Sequence, residues 1–264
     1  MPRLRRVVWT CCLLFSFTAV AAASLPAHGA ADPTVPDSTL DRVDRLRADG
    51  EFERAVAVLR TLREQHGDHV ELLWRASFTQ VDLGKVAQKK EKAQPYYKTA
   101  NALADSALMA DSASARAHLA KAVAEGRLAL DAGTKERVRG SRKIKKHADR
   151  AIELDSTLSG AFHVRGRWNR EVSDLNFFER AIVKTVYGGL PESSFEQAMR
   201  DFTRALELED VRFHHLELGK TYLKMDREDD ARAEFKTVLE LPKEEYFGDR
   251  YKDEAEKLLR ELDE

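Results

Sequence analysis

The chain has 264 residues, 43% hydrophobic and 34% charged, with a formal net charge of −1. That is too polar for a bundle of membrane helices, and so near a charge balance neither points to nucleic acid nor excludes it. Gly and Pro number only 13 and 7 against long runs of Ala, Leu, Glu, Lys and Arg, so an all-helical fold is expected.

At the start, Arg3, Arg5 and Arg6 precede an apolar run from Val7 to Ala23, and no acidic residue occurs before Asp32. Small residues follow at Ala21-Ala22-Ala23 and Gly29-Ala30-Ala31, so residues 1–31 read as a secretory signal peptide. Thr10, Ser16 and Thr18 interrupt the run and leave it short for a span, which makes an uncleaved membrane anchor the alternative. Export to a periplasmic or extracellular space is therefore expected, with no transmembrane span in the mature chain. Both cysteines, Cys11 and Cys12, lie inside this run, so a cleaved chain would carry no disulfide. Residues 32–38, rich in Pro, Asp and Ser, read as a flexible linker.

From Thr39 onward the chain reads as five helical hairpins, at about 39–67, 69–112, 113–156, 158–210 and 211–243. The second helix of each carries a stripe at spacings of four and three. The stripes are Ala55/Leu59/Leu62, Ala100/Ala104/Ala107, Ile144/Ala148/Ala151, Ala198/Phe202/Ala205 and Ala231/Phe235/Val238. Opposite them, on the first helices, stand small or medium residues: Val43, Ser77, Ala122, Gly166 and Gly219. Gly219 would let its neighbour approach while Phe235 fills the gap. This is the tetratricopeptide pattern, and it predicts an α-solenoid.

The separation between reference residue and stripe is 12 in the first and last hairpins but 23, 22 and 32 in the middle three. Two of these extensions come close to three extra turns, shared between two lengthened helices. The third differs. Leu175, Phe178, Ile182 and Val186 share one helical face before Gly188-Gly189-Leu190-Pro191 ends the helix. It predicts an additional amphipathic helix over about 174–187, folded against the third and fourth hairpins. Ser193 with Glu196, or Ser194 with Gln197, then starts the next helix. A last helix over 249–262 offers Ala255, Leu258, Leu259 and Leu262 on one side and would cap the stack.

At Gly166-Arg167-Trp168, Leu175-Asn176-Phe177-Phe178-Glu179-Arg180, Tyr187-Gly188-Gly189-Leu190-Pro191 and Gly219-Lys220-Thr221-Tyr222-Leu223, the chain resembles the regulator of microtubule dynamics group of tetratricopeptide proteins. It departs at Arg165, where leucine is usual. The resemblance implies an all-helical, non-enzymatic adaptor. Some animal members sit at contacts between organelles, and a lipid-binding groove has been proposed for that fold. Microtubule binding does not carry over to an exported chain, whose compartment lacks that partner.

Neither a nucleophile elbow nor a Walker-type, dinucleotide-binding or zincin motif occurs, so no catalytic, metal or cofactor residue is expected. His66 and His69 flank a turn, while His214 and His215 are adjacent and face different sides of a helix. The basic run Lys135 to Lys146 lacks interleaved aromatics, so nucleic acid is not expected there; it reads as a solvated face or a contact for an anionic surface. First helices line the concave side of a solenoid. Their equivalent positions hold Trp74, Phe78, Leu119 and Val123 in one half, and His163, Arg167, Arg170, Lys220 and Lys224 in the other. An apolar and cationic groove of this kind suits a peptide or protein with an acidic end, with an anionic lipid as the alternative. A binding or scaffold role in the cell envelope is the resulting expectation. An enzyme with an unrecognised site is the remote one.

Overall fold

The computed structural model describes residues 35–264 apart from Gln88, Asp131 and Glu244. The segment expected to be a signal peptide (1–31) and the first three residues of the expected linker (32–34) lie outside the described residues. Twelve helices follow one another among those described: α1 (Asp37–Ala48), α2 (Phe52–His66), α3 (Val70–Val86), α4 (Lys90–Ala110), α5 (Ala115–Leu130) and α6 (Thr134–Leu154). Then come α7 (Ser159–Ser173), α8 (Phe177–Tyr187), α9 (Phe195–Leu208), α10 (Arg212–Leu223), α11 (Glu228–Glu240) and α12 (Gly248–Asp263). The expected α-solenoid is present, with α1–α2, α3–α4, α5–α6, α7–α9 and α10–α11 as hairpins, α8 inserted and α12 appended. The first helix begins at Asp37, two residues before the expected start, and Val35 ahead of it is already buried against Leu40 and Val43.

The stripes account for the stacking. Every residue named in the five stripes is buried except Ile144, which is half-buried. Gly219 does what its spacing implied: a Cβ there would lie 2.5 Å from the Phe235 ring. Gly166 repeats the arrangement with Phe202, 3.0 Å from the same imagined atom. Both aromatic side chains are fully buried, so each glycine exchanges a side chain for a close helix–helix approach. The lengthened middle hairpins also stand as expected, with 17 and 21 residues in α3 and α4 and 16 and 21 in α5 and α6. The last hairpin needs only 12 and 13.

Two ends of α8 are built as its sequence dictates. Asn176 caps it in a reciprocal box with Glu179, and Gly188 ends it in the left-handed region at φ 76°. Ser194, rather than Ser193, caps α9 by accepting from the Gln197 amide. One expectation fails. The face of Phe178, Ile182 and Val186 is not folded onto the stack; these side chains are 76%, 49% and 65% exposed. Val183, on the flank about a quarter-turn from that face, is the buried residue. Periodicity shows that a helix is two-sided and says nothing about which side meets the core.

The cap α12 packs Ala255, Leu258, Leu259 and Leu262 against Leu216, Phe235 and Val238. It also does something the repeat pattern does not specify. Phe247, at its N-terminus, stacks on Phe52 of α2 with ring centroids 5.9 Å apart, and Tyr246 meets the same ring edge-on at 5.2 Å. Arg250 donates to the Lys85 carbonyl at 3.2 Å. Within residues 34–264 the end of the solenoid thus returns to its beginning.

Candidate functional site

The first helices α3, α5, α7 and α10 face the inside of this closed turn, and α12 completes the wall. The nine groove positions do not assemble into one open surface. Trp74 is 3% exposed, packed on Leu73, Ala104 and Ala117, with the Arg75 guanidinium 4.0 Å from its ring centroid. Phe78 and Leu119 continue that packing toward Ala151 and Leu158, and Val123 sits on Val81 and Ala124. The apolar half is therefore the seam between successive hairpins, where burial of these side chains holds the repeats together.

Three of the cationic positions do converge. Arg170, Arg167 and Lys220 all approach Glu217, with N···O separations of 2.5, 3.6 and 3.4 Å. Burial opposes ionisation of Glu217, but the Arg170, Arg167 and Lys220 charges win and hold its carboxyl far below the usual range. Lys220 also reaches Glu254 of α12. His163 is occupied differently: its Nδ1 lies 2.9 Å from His214 Nδ1, and its ring is enclosed by Phe202 and Phe213. Burial lowers both imidazoles, His214 to about 3, so the pair is neutral, one ring donating and the other accepting. Lys224 lies elsewhere, exposed and paired with Asp174 at 2.8 Å.

Other groups complete the inner wall. Asp82 accepts from Arg47 at 2.7 Å and is 3.4 Å from Lys85, whose ammonium lies over the Phe247 ring at 4.3 Å. Burial pushes the carboxyl of Glu245 and the phenol of Tyr251 up. Arg127, on α5, is the group that stands apart. Among the described residues it has no carboxylate within ion-pair distance, and burial together with the neighbouring Arg167 charge pushes its guanidinium down. Arg167 Nε is buried 3.6 Å from the Glu217 carboxylate, within ion-pair reach but without a hydrogen-bond partner. Two arginines on successive inner helices therefore keep donor capacity in reserve, in a setting that favours an incoming anion.

Arg127 was within reach of sequence reasoning. Leu119, Val123 and Arg127 stand four apart on one helix, and one more turn along the inner line arrives at it. The same step from Phe78 arrives at Asp82. The departure at Arg165 also has a local cause, since its guanidinium spans Asp201 at 2.6 Å and Asp149 at 3.4 Å. Among the described residues no group of three or more His, Cys, Asp and Glu side chains could hold a metal ion. Nor is any helix among them long and apolar enough to cross a membrane.

A family profile described as "Regulator of microtubule dynamics protein 1-3" matches residues 39–263. Regulator of microtubule dynamics protein 1 of Bos taurus is 28% identical over 245 residues, covering 91% of this chain and 76% of its own. The Mus musculus protein of the same name is 30% identical over 196 residues, covering 72% of this chain and 63% of its own. The chain spans only 48% of regulator of microtubule dynamics protein 2 of Bos taurus. Among solved structures, a thermophilic TPR protein of Thermus thermophilus superposes with a TM-score of 0.61 at 18% identity, covering 84% of this chain and 98% of the other. That likeness concerns the fold.

Proposed function

The chain belongs to the regulator of microtubule dynamics family, and from that premise we propose that it is a non-catalytic binding protein whose inner wall takes the acidic end of a protein or peptide. The observation that supports this most is the pair Arg127 and Arg167. Arg170 and Lys220 already serve Glu217 and Glu254, whereas Arg127 has no carboxylate within ion-pair distance among the described residues and Arg167 Nε, 3.6 Å from the Glu217 carboxylate, makes no hydrogen bond. A free carboxylate would supply the acceptor that Arg127 lacks and could bridge to the neighbouring Arg167 guanidinium, with charge-assisted hydrogen bonds. The named action of the relatives on microtubules is not part of the proposal, because Arg3, Arg5 and Arg6 before the apolar run Val7 to Ala23 favour action after export, in the cell envelope or outside it.

A lipid ligand on the same inner wall has less support. An acyl chain needs a continuous apolar wall, and Trp74, Phe78, Leu119 and Val123 are spent on packing between hairpins. The test is an array of short acidic peptides, each with a free or an amidated C-terminus, titrated by fluorescence anisotropy. Tighter binding of free acids, lost in Arg127→Met, supports the reading. Binding indifferent to amidation and to Arg127→Met overturns it.

A further inference from the structure

The inserted helix wears its hydrophobic side outward. Phe178, Ile182 and Val186 share one face and are 76%, 49% and 65% exposed, and Phe177, 80% exposed at the first position of the helix, meets Phe178 edge to face at 5.7 Å. Only Val183 is buried, against the body of the repeat. The helix is held there by Arg142 of α6, which donates to the carbonyls of Tyr187 and Gly189 at its C-terminal end.

Arg142 belongs to a stripe. Lys135, Arg139, Arg142 and Lys146 stand at i, i+4, i+7 and i+11 of α6, one face of that helix and the face that reaches α8. All four are exposed, and among the described residues none of them has a carboxylate within ion-pair distance. Lys184 adds an exposed cation on α8 itself. A chain of net charge −1 thus gathers unneutralised positive charge at the C-terminal end of the helix that carries the most exposed aromatic side chains among the described residues.

We propose that α8 and the basic stripe of α6 form a docking surface for an anionic lipid bilayer, with Phe177, Phe178, Ile182 and Val186 entering the headgroup–acyl boundary and the stripe meeting acidic headgroups. Apolar side chains beside cations are what an interfacial helix requires, the two terms adding. A second copy of the chain fits less well. The α8 face is about 16 Å long and about 10 Å across, far below the roughly 800 Å² per partner of a stable interface. Self-pairing would also bring two cationic stripes together. A partner helix would want a groove, whereas Phe177 and Phe178 form a ridge. The surface is separate from the inner wall and does not depend on what binds there.

The full chain is tested by flotation with vesicles of phosphatidylglycerol and phosphatidylcholine in equal parts, and with phosphatidylcholine alone. The N-terminal apolar run is common to every variant, so differences between variants report on α8 and α6. The expected result is preferential flotation with anionic vesicles, with apparent affinity falling roughly tenfold or more in Phe178→Asp/Ile182→Asp and in Lys135→Glu/Arg139→Glu. These side chains are exposed, and unchanged circular dichroism would confirm that the variants fold. As a second readout, a nitroxide at Ile182→Cys, in a Cys11→Ser/Cys12→Ser background, becomes shielded from a water-soluble relaxation agent on anionic vesicles. Equal flotation of wild type and both variants, or a nitroxide that stays accessible on vesicles, overturns the proposal. So does a concentration-dependent dimer abolished by Phe178→Asp/Ile182→Asp, which would make a second copy the occupant.

Discussion

The ring of Tyr246 lies directly on the backbone of Gly50, so close that no side chain could stand there, and Gly50 itself holds φ at +80°. The contact joins the turn between the first two helices to the segment that opens the last. Gly50→Ala should lower stability by more than about 1 kcal/mol, because it strains a left-handed backbone and displaces the ring. Tyr246→Ala removes the ring alone. In urea unfolding, the double variant should cost less than the sum of the singles, with a coupling of roughly 0.5–3 kcal/mol. Strict additivity would mean that the two residues do not touch in solution.

Phe235 and Gly219 make the second prediction. Phe235→Ala should cost about 3–5 kcal/mol by leaving a cavity where the last two hairpin helices meet. Gly219→Leu should cost about 1–3 kcal/mol by overfilling the same space, and trimming Phe235 to Leu in that background should recover part of it. Equilibrium unfolding midpoints check both directions.

Arg170 and Glu217 are a buried ion pair, with the guanidinium also bonded to the Glu217 carbonyl at 3.1 Å. Arg170→Met should cost about 3 kcal/mol or more, since it strands a buried carboxylate. Arg170→Met/Glu217→Gln should be markedly milder. If the single variant proves as stable as wild type, Arg167 and Lys220 alone suffice to hold Glu217.

Adjacent histidines should give opposite pH dependences. The pKa of His214 is lowered by burial from 6.5 to about 3. Between those values the unfolded chain carries the proton and the folded one does not, so its contribution is complete above pH 6.5 and declines as the solution is acidified, at most ~1.4 kcal/mol per pH unit. Burial opposes protonation of His215 too, but Glu234 and Asp210 prevail and raise its pKa, so its contribution is present at low pH and fades as pH rises through the folded value. Thermal midpoints between pH ~4 and pH ~8 should show a shallower acid decline in His214→Gln than in wild type. In His215→Gln they should show less loss on the alkaline side. A wild-type acid decline unchanged in His214→Gln would contradict the neutral pairing with His163.

The parts of this fold that depend on near neighbours were legible in the sequence. Gly219 and Phe235 announce a close helix pair because small and large residues must alternate at helical spacing. The lengthened α3 to α6 follow from extensions near whole turns, and Gly188 marks the end of α8 because a left-handed residue is needed there. Orientation was not legible. Trp74 and Phe78 occupy inner-helix positions and yet pack into the seam, since inner and inter-repeat faces adjoin on one helix. Trp74→Asp would therefore test folding rather than ligand binding. The stacking of Phe247 on Phe52 was beyond pattern, because it depends on how far the whole solenoid turns before its end meets its beginning.

If the inner wall is a binding site, Arg127 and Arg167 together receive a carboxylate inside the closed turn. Their arginine Nε–Hε resonances report on this when an acidic peptide with a free C-terminus is titrated in. The Arg127 and Arg167 signals should move together with saturation of the peptide, while Arg170, already committed to Glu217, stays in place. Saturable peptide binding that leaves both signals unmoved would contradict the proposed site.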